Sequence, residues 1–355
     1  MKVKLSDITK YSKGVQINGD DLIDDGEYIY LNGGINPSGR WSSSNVSGDT
    51  VTISEGGNSS GYVNYITEPF WCGAHCYYLY EGPSNSKYLY YALKSQQNRL
   101  FAIRSGACMP NIKKSDLGNF ELEFDYNERK QDEVVAVLSG VELVIARRQK
   151  ELELIDELIK ARFVEMFGTL HDNEKSFKVV TVDDVCTLIK DGTHQTPQYT
   201  EDRQRGFKFL SSKDVMSQKI DWTDIKYIPQ ELHEKLYATI KPQRNDILMS
   251  KNGVNYGVAA VNDTDEVFDI YVSLALLRPK NSIDPVFLRC AINSPETKTQ
   301  FDSSIKGIGV PNLHLGEIKK TKIFLPPMEI QKEFVLFVEQ VDKSKFVVQK
   351  VLDSA

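Results

Sequence analysis

Apolar residues recur at alternating steps of four and three through the middle of the chain. They are Val134, Leu138, Val141, Ile145, Leu152, Ile155, Ile159 and Met166, with Arg148 and Arg162 at the two remaining positions. This is an a/d heptad seam, and it predicts one helix from about Glu128 to Phe167. Gly140 alone interrupts it, and no proline follows before Pro197. At the α-helical rise such a segment would be ~60 Å long. A helix of that length with one narrow apolar stripe needs a second helix to lie against. The same pattern returns once more at Phe334, Val338, Val341, Lys345, Val348 and Leu352. The pattern therefore predicts a two-helix spacer, parallel or antiparallel, with a globular part attached at each end.

The flanking regions read differently. Tyr28–Leu31, Thr50–Ile53 and Tyr77–Tyr80 are short apolar runs of strand type, with turns at Asn32-Gly33 and Gly56-Gly57. A helix is predicted from Lys87 to Gln97, so the first region is a mixed, mostly β domain.

The plan then repeats. Ser54, Gly57 and Gly61 answer to Ser250, Gly253 and Gly257 at an offset of 196. Tyr88-Leu89, Ala92-Leu93 and Ser95 answer to Phe287-Leu288, Ala291-Ile292 and Ser294 at 199. Gly106 and Pro110-Asn111-Ile112 answer to Gly307 and Pro311-Asn312-Leu313 at 201, and the helices follow at 200. An offset drifting by so little over half a chain indicates a tandem duplication, globule–helix–globule–helix. The stretches between the matched positions diverge, as Asn36–Trp41 does from Ser212–Met216. Two copies of one frame with different loops would suit two different half-sites on a two-fold target such as duplex DNA.

Composition narrows this only a little. The net charge of −6 on 355 residues does not signal a nucleic-acid binder by itself. Any basic surface must be local or come from a partner. No apolar run approaches a membrane span, and the first residues lack the apolar core of a signal peptide, so a cytoplasmic protein is expected. The five cysteines form no Cys-x-x-Cys pair. Cys72 and Cys76 flank His75 without a second ligand pair, so no metal is expected.

Lys190-Asp191-Gly192-Thr193-His194-Gln195-Thr196-Pro197, Asp246–Ser250 with Gly253 and Gly257, and Gly309-Val310-Pro311-Asn312-Leu313 followed by Leu325-Pro326-Pro327 and Gln331-Lys332-Glu333 form a specific combination. With these motifs the chain resembles the DNA-specificity (S) subunits of type I restriction–modification systems, over essentially its whole length. The first half departs from the pattern, with Lys13-Gly14-Val15-Gln16 in place of the Asp-Gly-Thr-His stretch. The last helix, ending at Ala355, is about twelve residues short of matching the central one, which leaves open whether it is complete.

The resemblance implies an α+β fold: a tandem duplication of two mixed, β-rich target recognition domains joined by long helices that pair as an antiparallel coiled coil. The expected domains are 1–126 and 169–325 for recognition, with spacer helices at 127–168 and 326–355. It implies a non-catalytic subunit that recognises a bipartite, asymmetric target in double-stranded DNA. Two methyltransferase (M) subunits would dock on it to methylate adenine, and restriction (R) subunits can join to cleave. The chain itself would carry no cofactor, S-adenosylmethionine being expected in the M subunit.

Base readers are expected in polar, variable loops, because sequence is read at base edges while phosphate contacts set position. In the second globule they are Thr193, His194, Gln195, Gln204, Arg205, Ser250, Lys251 and Asn252. In the first they are Arg40, Trp41, Ser54, Asn58 and Ser59. Arg148 and Arg162 are expected to pair with acidic groups instead. An enzyme reading finds little support: Pro326-Pro327 lacks the Asn/Asp before and the aromatic after that an adenine methyltransferase needs, and no P-loop occurs. The alternative is a structural adaptor, with two β-rich interaction domains on a coiled coil and no DNA partner.

Overall fold

The computed structural model describes residues 1–106, 108–305 and 311–353. Gly307, Gly309, Val310 and Ala355, which entered the repeat, the closing motif and the chain end above, lie outside the described residues. The chain divides into two compact units, Met1–Ala146 and Arg147–Ala355.

The first unit carries a four-stranded antiparallel sheet in the order Lys10–Lys13, Cys76–Tyr80, Thr50–Ser54, Val63–Ile66. A three-stranded sheet runs Gly39–Trp41, Tyr28–Leu31, Trp71–Cys72, its second pairing parallel. Lys2–Lys4 pairs with Glu121–Glu123. The second unit repeats each part: Cys186–Asp191, Leu274–Pro279, Ile247–Ser250, Ala259–Val261; then Lys226–Ile228, Phe207–Leu210, Phe268–Ile270; then Lys178–Thr181 with Lys322–Leu325.

In each unit the third strand of the four-stranded sheet is covered on both faces. Ile247 and Met249 pack into the helical core with Phe287, Ala291 and Phe334, whereas Leu248 between them packs against Leu210, Phe268 and Ile270. A strand's two-residue period sends alternate side chains to opposite sides, so an unbroken apolar run suits a strand sandwiched in this way. Val51 and Ile53 face the helices of the first unit in the same manner.

The expected strands are present, with small boundary shifts. The helix predicted at Lys87–Gln97 is instead two, Ser86–Lys94 and Gln97–Ala102. The break falls at Ser95, whose hydroxyl donates to the Ala92 carbonyl and competes with the helix ladder. The Asn85 side chain caps the first of the two by accepting from the Tyr88 amide.

The central helix runs unbroken from Glu128 to Phe167, through Gly140. Within the second unit the C-terminal helix, Met328–Asp353, packs on its far end. Phe334 meets Phe163 and Phe167 at ring separations of 5.5 and 5.4 Å, and Lys345 holds Asp156 at 2.5 and 2.7 Å. Residue numbers rise along one helix as they fall along the other, so the pair is antiparallel. Arg148 and Arg162 pair with Glu151 and Glu165 at 2.6 and 2.9 Å. The near end of the seam differs from a fully partnered coil: Val134, Leu138 and Val141 are 40, 38 and 43% exposed.

Candidate nucleic-acid interface

The strand Cys186–Asp191 leads directly into the Gly192-Thr193-His194-Gln195 loop. Thr193 is stitched to the neighbouring strand end: its amide donates to the Ile270 carbonyl at 3.1 Å and its carbonyl accepts from the Val272 amide at 3.0 Å. The backbones approach so closely that a Cβ on Gly192 would lie 2.0 Å from the Ile270 oxygen. Gly14 is in the same situation in the first unit, 1.8 Å from the Cys72 oxygen, so the glycine is a demand of the frame in both. The Thr193 hydroxyl accepts from the Gln195 amide at 3.2 Å, which turns the loop outward and leaves His194 and Gln195 exposed.

Beneath this loop Asp191 gathers two groups. Lys251 Nζ donates to its Oδ2 at 2.7 Å and His194 Nε2 lies 3.2 Å from the same oxygen. Burial pushes the Asp191 carboxyl upward, but the Lys251 ammonium, and then His194, outweigh it and hold it below the usual carboxylate range. A cleft of about 310 Å³ opens beside the loop, lined by Lys190, Asp191, Thr193, His194, Thr239 and Asp269. At its wall the buried pair His233–Asp269, 2.7 Å apart, ties the helix Gln230–Tyr237 to the strand Phe268–Ile270.

The first unit has a matching device of opposite polarity. Here Lys13, on the first strand of the sheet, donates to Glu55 at 2.7 Å, and His75 Nδ1 lies 3.3 Å from the other Glu55 oxygen. The backbone makes the equivalence certain. The Glu55 carbonyl accepts from Ile112 at 2.9 Å and the Lys251 carbonyl from Leu313 at 2.7 Å. Aligning Gly14 on Gly192 places Lys13 on Asp191 and Glu55 on Lys251: the same ion pair with its charges exchanged. Burial raises the Glu55 carboxyl as well, and Lys13 with His75 reverses this to leave it lowered.

Several residues expected to face DNA take other places. Ser54 and Ser250 are buried, and their hydroxyls donate to the carbonyls of Gly33 and Asn255. Ser250 braces the turn that follows its own strand, whereas Ser54 ties its strand end to the turn after Tyr28–Leu31; both hydroxyls face inward, so the expectation of exposed base readers is corrected at both. Lys251 is corrected likewise: it is 4% exposed and its ammonium is taken by Asp191. Asn252 is half-buried and bridges to Asn312, with its side-chain oxygen buried and without a partner. Ser59 donates to the Gly33 carbonyl at 2.6 Å. Arg40 is exposed, but its guanidinium donates to the carbonyls of Gly26 and Glu27. Trp41 is half-buried, edge-on to Trp71 at 6.2 Å. Gln204, Arg205 and Asn58 stand exposed, the first two on a loop whose amides are held by Asp202.

The structure thus brings Thr193, His194 and Lys251 together around Asp191. Sequence reasoning missed Asp191, Lys13, Glu55 and His75 because it compared the halves for identities. The signal was the position of opposite charges over one another once the two glycines are aligned. Among the described residues no group of three His, Cys, Asp or Glu side chains is placed to hold a metal, and no described helix is long and apolar enough to cross a membrane.

The type I restriction modification DNA specificity domain family matches residues 1–155 and again 174–350. A Mycoplasma genitalium protein carrying the name of a type I specificity subunit is 36% identical over 130 residues, 36% of this chain and 34% of that relative. The specificity subunit of the MjaVIII type I restriction enzyme of Methanocaldococcus jannaschii is 24% identical over 272 residues, 72% of this chain and 63% of the relative. This chain thus matches about a third to just under two thirds of those relatives' lengths. The crystal structure of a type I restriction–modification S subunit from M. genitalium has the same fold, with a TM-score of 0.60 at 22% identity, covering 100% of this chain and 92% of that one.

Proposed function

The chain belongs to the type I restriction modification DNA specificity domain family, and from that membership we propose that it is the subunit that reads a bipartite, asymmetric target in double-stranded DNA. One observation carries this reading. Two units share a strand order and turn hydrogen bonds down to single residues, yet differ in the loops that the shared frame presents. A common frame with divergent loops is what reading two different half-sites requires. The recognition domains are 1–126 and 169–325. The helical segments 127–168 and 326–355 act as spacers. Gln195, Gln204, Arg205 and Asn58 are exposed side chains that reach bases, joined by His194, which is exposed beside Asp191, with Thr193 shaping its loop.

Specificity subunits of this family are in general non-catalytic, and this chain supplies no chemistry of its own in the proposal. Two M subunits dock on it and bring S-adenosylmethionine, and R subunits join for cleavage. The chain works in the cytoplasm. The test mixes purified chain, the M subunit and DNA fragments. Sequence-dependent retardation, and adenine methylation only when the M subunit is present, are the expected results. Methyl transfer by this chain alone would make it an enzyme, and the absence of any sequence-dependent shift is what the adaptor predicts; either overturns the proposal. The salt dependence of binding by the complex reports how many phosphates it neutralises.

A further inference from the structure

A second cleft, away from the reading loops, lies wholly within the second unit. It is lined by Asp156 and Lys160 of the central helix, Lys219, Arg289 of the helix Pro285–Ile292, and Asp342 and Lys345 of the C-terminal helix. Arg289 is 7% exposed. Among the described residues its guanidinium has only two long bonds, Nη1 to the Gln218 carbonyl at 3.4 Å and Nη2 to Cys290 Sγ at 3.5 Å, and its Nε has no partner. The carboxylates nearby are already engaged: Asp342 by Lys219 at 3.4 Å and Asp156 by Lys345 at 2.5 Å. Asp342 and Asp156 act on the guanidinium through space, but a buried guanidinium with no anion in hydrogen-bond contact is costly, and weak bonds of this length return little.

The first unit shows that the frame does not require this. Arg289 answers to Tyr90 at the offset of 199, and the Tyr90 ring packs on Tyr65 and Tyr91 at 5.6 and 5.1 Å. Cys290 answers to Tyr91, whose hydroxyl donates to Glu142, the counterpart of Asp342, at 2.7 Å. One copy closes the place with aromatic rings. The other leaves a cavity of about 40 Å³, some three times what a single water needs, ~10–15 Å³. Four cations and two carboxylates line it, so its balance is positive.

We infer that this cleft is a binding site for one small oxyanion, with Arg289 as its buried partner and Lys160 and Lys219 at its rim. Guanidinium and ammonium donors with a free valence suit phosphate and carboxylate alike. The anion is therefore either free phosphate or the carboxylate of an acidic side chain.

Thermal unfolding of the full chain, titrated with inorganic phosphate or with glutarate at ionic strength fixed by chloride, tests this. A saturable rise in the melting temperature with either anion is expected, phosphate alone marking a tetrahedral-anion site and glutarate alone a side-chain carboxylate site. Arg289→Gln abolishes the rise, and Lys160→Gln weakens the apparent affinity about two- to fivefold. No saturable effect beyond chloride from either anion overturns the inference, as does an undiminished effect in Arg289→Gln. If that variant fails to fold, Lys160→Gln decides, and unchanged affinity there overturns it.

Discussion

Asp191 and Lys251 lie at 17% and 6% side-chain exposure, so their attraction is only partly screened. Removing one partner strands a mostly buried charge, which costs ~3–5 kcal/mol when burial is complete and about 1–3 kcal/mol here, where Asp191 still reaches water. Asp191→Asn should therefore destabilise the chain to urea, and Asp191→Lys combined with Lys251→Glu, which imposes the polarity of the first unit, should recover part of the loss. The pH dependence follows from the direction of the shifts. Asp191 and Glu55 are both held below their unfolded values, so their stabilisation is complete above the unfolded carboxylate range, ~4. It is lost as pH falls through the lower folded values. Acid denaturation curves should show this limb, and Asp191→Asn should flatten its share of it. The serines illustrate how a residue can mislead. Ser54 and Ser250 match at the constant offset, and positions identical in both copies belong to the frame rather than to the loops. Their hydroxyls end up on backbone carbonyls in both units. The repeat itself carried that information, but the direction of a hydroxyl after a strand depends on the turn it closes.

At the scale of elements, the heptad seam and the duplicated strands were readable because each rests on periodicity, and burial enforces periodicity along a whole segment. The split of Ser86–Lys94 from Gln97–Ala102 was not readable, since it depends on one serine side chain competing with the helix ladder. Extent of partnering was hidden as well. The apolar stripe looks uniform in sequence, whereas Ile155, Ile159 and Met166 are half-buried and Val134, Leu138 and Val141 are exposed; at the far end full burial falls on Phe163 and Phe167, one residue beyond the expected positions Arg162 and Met166. Gly140 sits in the exposed stretch, and a Cβ there would meet nothing within 4 Å. Gly140→Ala should therefore gain the full difference in helix propensity, about 0.5–1 kcal/mol. A rise in helical circular dichroism and in the melting temperature of the first unit would register it; a loss would mean that the glycine is needed for contact or bending.

For the molecule as a whole, the central helix begins within one unit and ends within the other, and in the reading proposed above it is the spacer whose length sets the gap between the two half-sites. Deleting Gly140–Ala146 removes one heptad, about 10.5 Å of rise, while keeping the segment that Phe334 and Lys345 contact. The unread gap in the methylated target should shorten by about three base pairs, as mapped by adenine methylation. An unchanged gap would separate recognition from helix length. The ion pairs of opposite polarity bear on how such a protein can change over generations. A crossover between the two halves of its gene that falls between the glycine loop and the Ser54 or Ser250 turn would set lysine against lysine, or glutamate against aspartate, under a reading loop. Only exchanges that carry both segments together escape the clash. Hybrids that split the two segments should therefore be less stable than either parent, whereas trading a whole recognition block keeps each ion pair intact.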